Sequence, residues 1–175
     1  LEGGDNDDVL NGHDSNDYMD GGNDADSLTG SAGDDTLLGQ SGNDTLYAGT
    51  GVDNVNGGTE NDLLVFDPGD VGTNETVDGG AGTDTAKITG ATVNFQVAAT
   101  YQGIEYIQFD AGARASLSGV QASANNVTLV GSTGSENLYI VGATGIGHNW
   151  DFSSMGFSSW TAGSDAVYMY GQDQN

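Results

Sequence analysis

Seven aspartates, Asp8, Asp17, Asp26, Asp35, Asp44, Asp53 and Asp62, follow one another at intervals of nine residues. Carboxylates at fixed spacing, set among glycine-rich turns, are suited to holding a hard cation. Calcium takes about six to eight oxygen ligands, from carboxylates and backbone carbonyls. Two positions after each aspartate comes an apolar residue: Leu10, Met19, Leu28, Leu37, Leu46, Val55 and Leu64. The units read GGDNDDVLN, GHDSNDYMD, GGNDADSLT, GSAGDDTLL, GQSGNDTLY, AGTGVDNVN and GGTENDLLV.

The elements that position these carboxylates follow from the same period. Glycine, asparagine and aspartate dominate the first four positions of a unit, as a turn with positive φ requires. The triplets Val9-Leu10-Asn11, Thr36-Leu37-Leu38 and Thr45-Leu46-Tyr47 are too short to stand as free strands. Stacked as parallel layers they can pair along a solenoid axis and bury the apolar residue. Two units per coil send alternate turns to opposite edges. Asp8, Asp26, Asp44 and Asp62 then form one ladder, which Asp84 extends. Asp17, Asp35 and Asp53 form the other, with Glu75 as end member. One ion in each interval gives about seven bridging calcium sites.

Composition agrees with that chemistry. Lys and Arg number 2 against 26 acidic residues, a formal charge of −24. Such a balance disfavours nucleic acid and anionic membranes and favours cations. Seven divalent ions would neutralise more than half of it. Without ions the ladders hold like charges together, so the metal-free chain is expected to be expanded. There is no cysteine, hence no disulfide staple; bound metal can serve as one. No apolar run reaches membrane-spanning length and no signal peptide is visible. Leu1 occupies the apolar slot of an earlier unit, which suggests an array cut from a longer protein.

The period breaks at residues 66–78, read as one repeat with a four-residue bulge around Asp67-Pro68-Gly69. The unit 79–87, GGAGTDTAK, restores it with Asp84. Beyond Lys87 acidic residues thin out and aromatics rise. Alternation in Thr92–Val97, Ile104–Phe109, Val127–Val130, Leu138–Val141 and Ala166–Tyr170 reads as strands. A degenerate unit, GSTGSENLY at 131–139, has Glu136 in the aspartate slot. The expected organisation is an all-β chain. Residues 1–87 form a solenoid with stacked calcium-binding turns, and 88–175 an aromatic-rich solenoid or sandwich-like cap.

The units resemble the calcium-binding nonapeptide G-G-x-G-x-D-x-U-x of the RTX (repeat-in-toxin) proteins. The resemblance covers seven consecutive units and 79–87. It implies a parallel β-roll, with calcium within each turn pair, and type I secretion from a Gram-negative bacterium. The chain would stay unfolded in the low-calcium cytosol and fold outside the cell. It also implies that the sixth-position aspartates bridge ions. Turn glycines Gly3, Gly12, Gly21, Gly30, Gly39, Gly57 and Gly79 would supply carbonyls. Ala48 departs from the first glycine, and His13, Ser31 and Gln40 from the second. Ser15 and Glu60 depart at the fourth position. Those turns are expected to bind more weakly.

Other chemistry finds less support. No window offers an EF-hand loop. His13 and His148 lie far apart, no G-x-S-x-G elbow occurs, and calcium ligation accounts for Asp5-Asp7-Asp8 and Asp34-Asp35 better than acid–base catalysis does. The expectation is therefore a non-enzymatic structural module of an adhesin, S-layer-like protein or exoenzyme. The alternative is a polysaccharide- or surface-binding module, with Trp150 and Trp160 as stacking platforms for sugar rings.

Overall fold

The computed structural model describes residues 1–70, 74–90, 93–94, 100–110, 113–118, 128–130, 137–141, 156–158 and 166–170. Among them every element is a strand and every strand pairing is parallel. The chain winds as a β-solenoid of about 5 turns. No helix of the described residues is long and apolar enough to cross a membrane.

Two sheets form the walls of the roll. One contains β1 (Glu2–Gly4), β3 (Tyr18–Asn23), β5 (Thr36–Ser41), β7 (Asn54–Thr59), β9 (Thr76–Ala81) and β12 (Thr100–Gln102), in that spatial order. The facing sheet begins with β2 (Val9–Asp14), β4 (Ser27–Ala32), β6 (Thr45–Thr50), β8 (Leu63–Phe66) and β10 (Thr85–Ile88). It continues through β13 (Tyr106–Phe109), β15 (Thr128–Val130) and β17 (Gly156–Ser158). A third sheet enters after β10, built from β11 (Val93–Asn94), β14 (Arg114–Ser118), β16 (Asn137–Val141) and β18 (Ala166–Tyr170).

Most strands of the repeat are twice the length of the apolar triplet, because each runs on into the next unit's first three residues. Ser27-Leu28-Thr29 continues as Gly30-Ser31-Ala32. Leu28 and Gly30 both face inward, as the twofold alternation of a strand demands. Where the first position is glycine the register passes over it: Leu10 pairs with Leu28 and His13 with Ser31, but Gly12 and Gly30 are not paired. The ladder is locally interrupted at that glycine.

The core is the stack of eighth-position residues. Met19, Leu28, Leu37, Leu64, Val77 and Ala86 are fully buried. On the first sheet the inward first-position column stays glycine from Gly3 to Gly79 and on to Gly103. On the second it changes from Gly12 and Gly30 to Ala48, Phe66, Ile88 and Phe109. Phe66, Ile88 and Phe109 are buried and enlarge the interior toward the wider coils. After the irregular stretch β9 pairs β7, with Thr76 opposite Asn54. Asp70 donates its backbone N–H to the Asp67 carbonyl there, and Gly69 takes a φ of 99°.

Candidate metal centre

Two residues of each turn adopt positive φ whatever their side chain. At the second position Gly22 has 109°, and His13, Ser31 and Gln40 follow with 69°, 83° and 76°. At the fourth, Gly42 has 140°, Ser15 89° and Glu60 77°. The departures from glycine thus leave the turn's course intact and carry the strain of left-handed backbone instead.

This course folds the sixth-position carboxylate back under the turn. One oxygen is committed to the backbone. Asp26 Oδ1 accepts from the Asp8 N–H at 2.8 Å, and Asp44 Oδ1 from Asp26 at 2.8 Å. Asp62 Oδ1 accepts from Asp44 at 2.9 Å, and Asp84 Oδ1 from Asp62 at 2.8 Å. On the other edge Asp35 accepts from Asp17 and Asp53 from Asp35, each at 2.8 Å. Sixth-position aspartates thus stack one layer apart along each edge. Glu75 is fully buried beneath Asp53, where the Thr76 N–H bonds the Asp53 carbonyl.

The second oxygen is the informative one. Oδ2 of Asp8, Asp17, Asp26, Asp35, Asp44, Asp53, Asp62 and Asp84 is buried and accepts no hydrogen bond. Each of these oxygens except that of Asp53 faces the first-position glycine of its own unit and the first-position carbonyl of the next coil on that edge. A Cβ on Gly39 would lie 2.4 Å from Asp44 Oδ2 and 2.3 Å from the Gly57 carbonyl oxygen. The corresponding contacts for Gly21 are 2.5 Å to Asp26 Oδ2 and 2.9 Å to the Gly39 oxygen. Gly3, Gly12, Gly30, Gly57 and Gly79 repeat the arrangement. Ala48 stands at this position with its methyl in place, and the symmetry of the repeat directs that methyl at Asp53.

Electrostatics make the isolated carboxylates unfavourable. Burial, and after it the neighbouring carboxylates, raises Asp26, Asp35, Asp44 and Asp84 above the usual 3.8. The same causes push Asp53 up to about 6 and Asp62 to about 7. Lys87 bonds Asp110 at 3.5 Å, away from the ladders. Buried charges of one sign need a counter-charge, and the Lys87 ammonium is directed to Asp110 instead.

The donor set fits calcium. No three His, Cys, Asp or Glu side chains converge among the described residues, so a cation here must complete its shell from carbonyls. A hard ion that accepts six to eight oxygens of mixed type suits such a site, and a thiolate- or imidazole-seeking one does not.

Sequence reasoning missed two features. Fifth-position side chains form an outer ladder: Asp7 Oδ1 accepts from the Ala25 N–H, Asp34 Oδ1 from Val52 and Asn61 Oδ1 from Thr83. Its signal was the recurrence of Asp or Asn just before the sixth-position aspartate. The second feature is Glu105, whose Oε2 accepts from the Asp84 N–H at 2.8 Å. Trp150 and Trp160, the candidate sugar platforms, lie outside the described residues, as do Glu136 and His148.

The family model of the RTX calcium-binding nonapeptide repeat (4 copies) matches residues 1–28 and 29–64. Comparison with curated proteins and with solved structures gives no match.

Proposed function

We propose that this chain, whose residues 1–64 are RTX calcium-binding nonapeptide repeats, is a calcium-folded structural module of a secreted bacterial protein. RTX nonapeptide repeats bind calcium. The observation that carries the reading is the row of buried aspartate oxygens without hydrogen-bond partners, all but that of Asp53 facing a carbonyl of the next coil. Burying such a group unsatisfied costs several kcal/mol in an apolar setting, and a calcium ion supplies the missing partner.

The metals named by this reading are held by Asp8, Asp26, Asp44, Asp62 and Asp84 on one edge and Asp17, Asp35, Asp53 and Glu75 on the other. The first-position carbonyls contribute beside them. Residues 1–87 form the calcium roll, with 88–175 an aromatic-rich continuation or cap. Because each internal ligand serves two neighbouring intervals, loading is cooperative. Extracellular-type sites bind at about 10⁻⁴–10⁻³ M, which places folding outside a low-calcium cytosol. RTX repeats are typical of secreted proteins, which supports type I export and a role at the cell surface or in an exoenzyme. Far-UV circular dichroism tests this. Millimolar calcium should produce a large gain of β signal that magnesium does not reproduce; equal spectra with and without calcium reject the reading.

A second reading, a polysaccharide-binding module, is favoured by a surface cavity of about 270 Å³ lined by Thr29, Ser31, Tyr47, Gly49, Asp67 and Asp70. Carboxylates and hydroxyls accept sugar hydroxyls, and the half-exposed Tyr47 ring offers a stacking face. Calcium-dependent retention on an alginate column, lost in Tyr47→Ala, would support it. Absence of retention in the unaltered chain rejects it.

A further inference from the structure

We infer that Asp84, Glu105 and the Gly103 carbonyl form a calcium site beyond the nonapeptide array, a fifth interval on the first edge. The inference rests on the calcium-binding reading above. The family match ends at residue 64, and Gly103-Ile104-Glu105 belongs to no nine-residue unit.

Register places the residues. β12 pairs β9 with Gln102 opposite Asp78, which brings Gly103 opposite Gly79. β13 pairs β10 with Tyr106 opposite Thr85, which brings Glu105 opposite Asp84. Between these two points the earlier coil spends a full turn, Gly79 to Asp84, whereas the later coil passes directly through Ile104. The shortened turn sets the backbone of residue 105 on a different path from that of a sixth-position aspartate. Glutamate carries one more methylene, and its carboxylate takes the ladder position, accepting from the Asp84 N–H at 2.8 Å. Ile104 is buried and anchors the turn.

The close glycine–carboxylate–carbonyl arrangement of the regular coils recurs here. Asp84 is fully buried and its Oδ2 accepts no hydrogen bond. A Cβ on Gly79 would lie 1.9 Å from the Gly103 carbonyl oxygen and 2.8 Å from Asp84 Oδ2. A carbonyl and a partnerless carboxylate oxygen therefore face the same gap, with a second carboxylate one layer on. The other edge offers the contrast. Its first-position column passes from Gly30 to Ala48 and Phe66, whereas that of the first edge stays glycine through Gly79 to Gly103.

The experiment is calorimetric titration of calcium into the full chain and its Glu105→Gln variant. Glutamine keeps the length and the acceptor for the Asp84 N–H but removes the charge. The site predicts one calcium fewer per chain, or at least a tenfold weaker last site, with the others unchanged. Identical stoichiometry and affinities in a calcium-binding chain overturn this inference alone; no calcium uptake by the unaltered chain overturns the general reading with it. Should Glu105→Gln fail to gain β signal in calcium, terbium replaces the test. Tyr106 adjoins Glu105, so Tyr106→Phe should remove a discrete part of the sensitised terbium emission. Unchanged emission overturns the site.

Discussion

Replacing Asp44 by asparagine separates the two roles of a ladder carboxylate. Asp44 is 1% exposed; its Oδ1 accepts from the Asp26 N–H, and its own N–H donates to Asp62 Oδ1 at 2.9 Å. Asparagine preserves the shape and the Oδ1 acceptor but removes the charge and turns the partnerless oxygen into a donor. Two intervals share Asp44. At about ten times the dissociation constant each filled site adds about 1.4 kcal/mol, so losing both costs about 3 kcal/mol. For a chain of this size that corresponds to a melting point lower by about 6–12 °C. In chelator the sign inverts. Unit charges about 5 Å apart repel by roughly 3 kcal/mol at an effective dielectric of 20, and screening at a solvent-facing turn reduces this to about 1 kcal/mol per neighbour. The compact state of the metal-free variant should therefore be favoured by about 1–2 kcal/mol. Thermal melts by circular dichroism, across a calcium series and in chelator, read both arms. Equal melting points at saturating calcium, or a variant less compact in chelator, would refute the reasoning.

Three further changes probe the turn. Gln40 holds a φ of 76° that glycine adopts without strain, so Gln40→Gly should stabilise the calcium-loaded roll by about 0.5 kcal/mol in denaturant titration, after glycine's larger unfolded-state entropy is offset. Ala48→Gly should cost about 0.5–1 kcal/mol in chelator from added backbone freedom, yet tighten one calcium site on the Asp53 edge, seen as a higher affinity in calorimetry. Gly39→Ala places a methyl 2.3 Å from the Gly57 oxygen; it should lower calcium affinity at the Asp44 turn and reduce stability by about 1–3 kcal/mol through overpacking. A pH series in chelator tests the burial of the ladder. Asp62 is raised from 3.8 to about 7, chiefly by burial, so the folded state holds its proton more tightly than the unfolded chain. Stability of the metal-free roll is then fully present below about pH 4 and is lost as pH rises toward about 7. Circular dichroism in chelator should show more β structure at the acid end; a gain toward neutral pH would contradict the assignment.

The repeat made its own geometry legible. A nine-residue period fixes both which residues share an edge and which lie one layer apart, so the two ladders followed from counting. The bulge after Phe66 was readable because Glu75-Thr76-Val77-Asp78 kept the unit's last four types, and the pairing of Asn54 with Thr76 agrees. Glu105 was not readable. Its turn is shorter than a unit, so no period points to it, and only strand register brings it beneath Asp84. The same holds for the column from Ala48 to Phe66 and Phe109, where a change of inward side chain widens the coil while outward positions still look repetitive. Beyond residue 88 the strands read from alternation are present at Tyr106–Phe109, Thr128–Val130, Asn137–Val141 and Ala166–Tyr170. β12, β14 and β17 carry too little apolar alternation to announce themselves. Ile104, taken as the start of a strand, lies instead in the turn that delivers Glu105.

Small-angle X-ray scattering of one sample, first in chelator and then in millimolar calcium, reads the central claim directly. Divalent ions are held to convert a self-repelling chain into a compact roll, so the radius of gyration should fall sharply on adding calcium and recover on its removal. A chelated chain as compact as the calcium-loaded one, at neutral pH, would contradict the account.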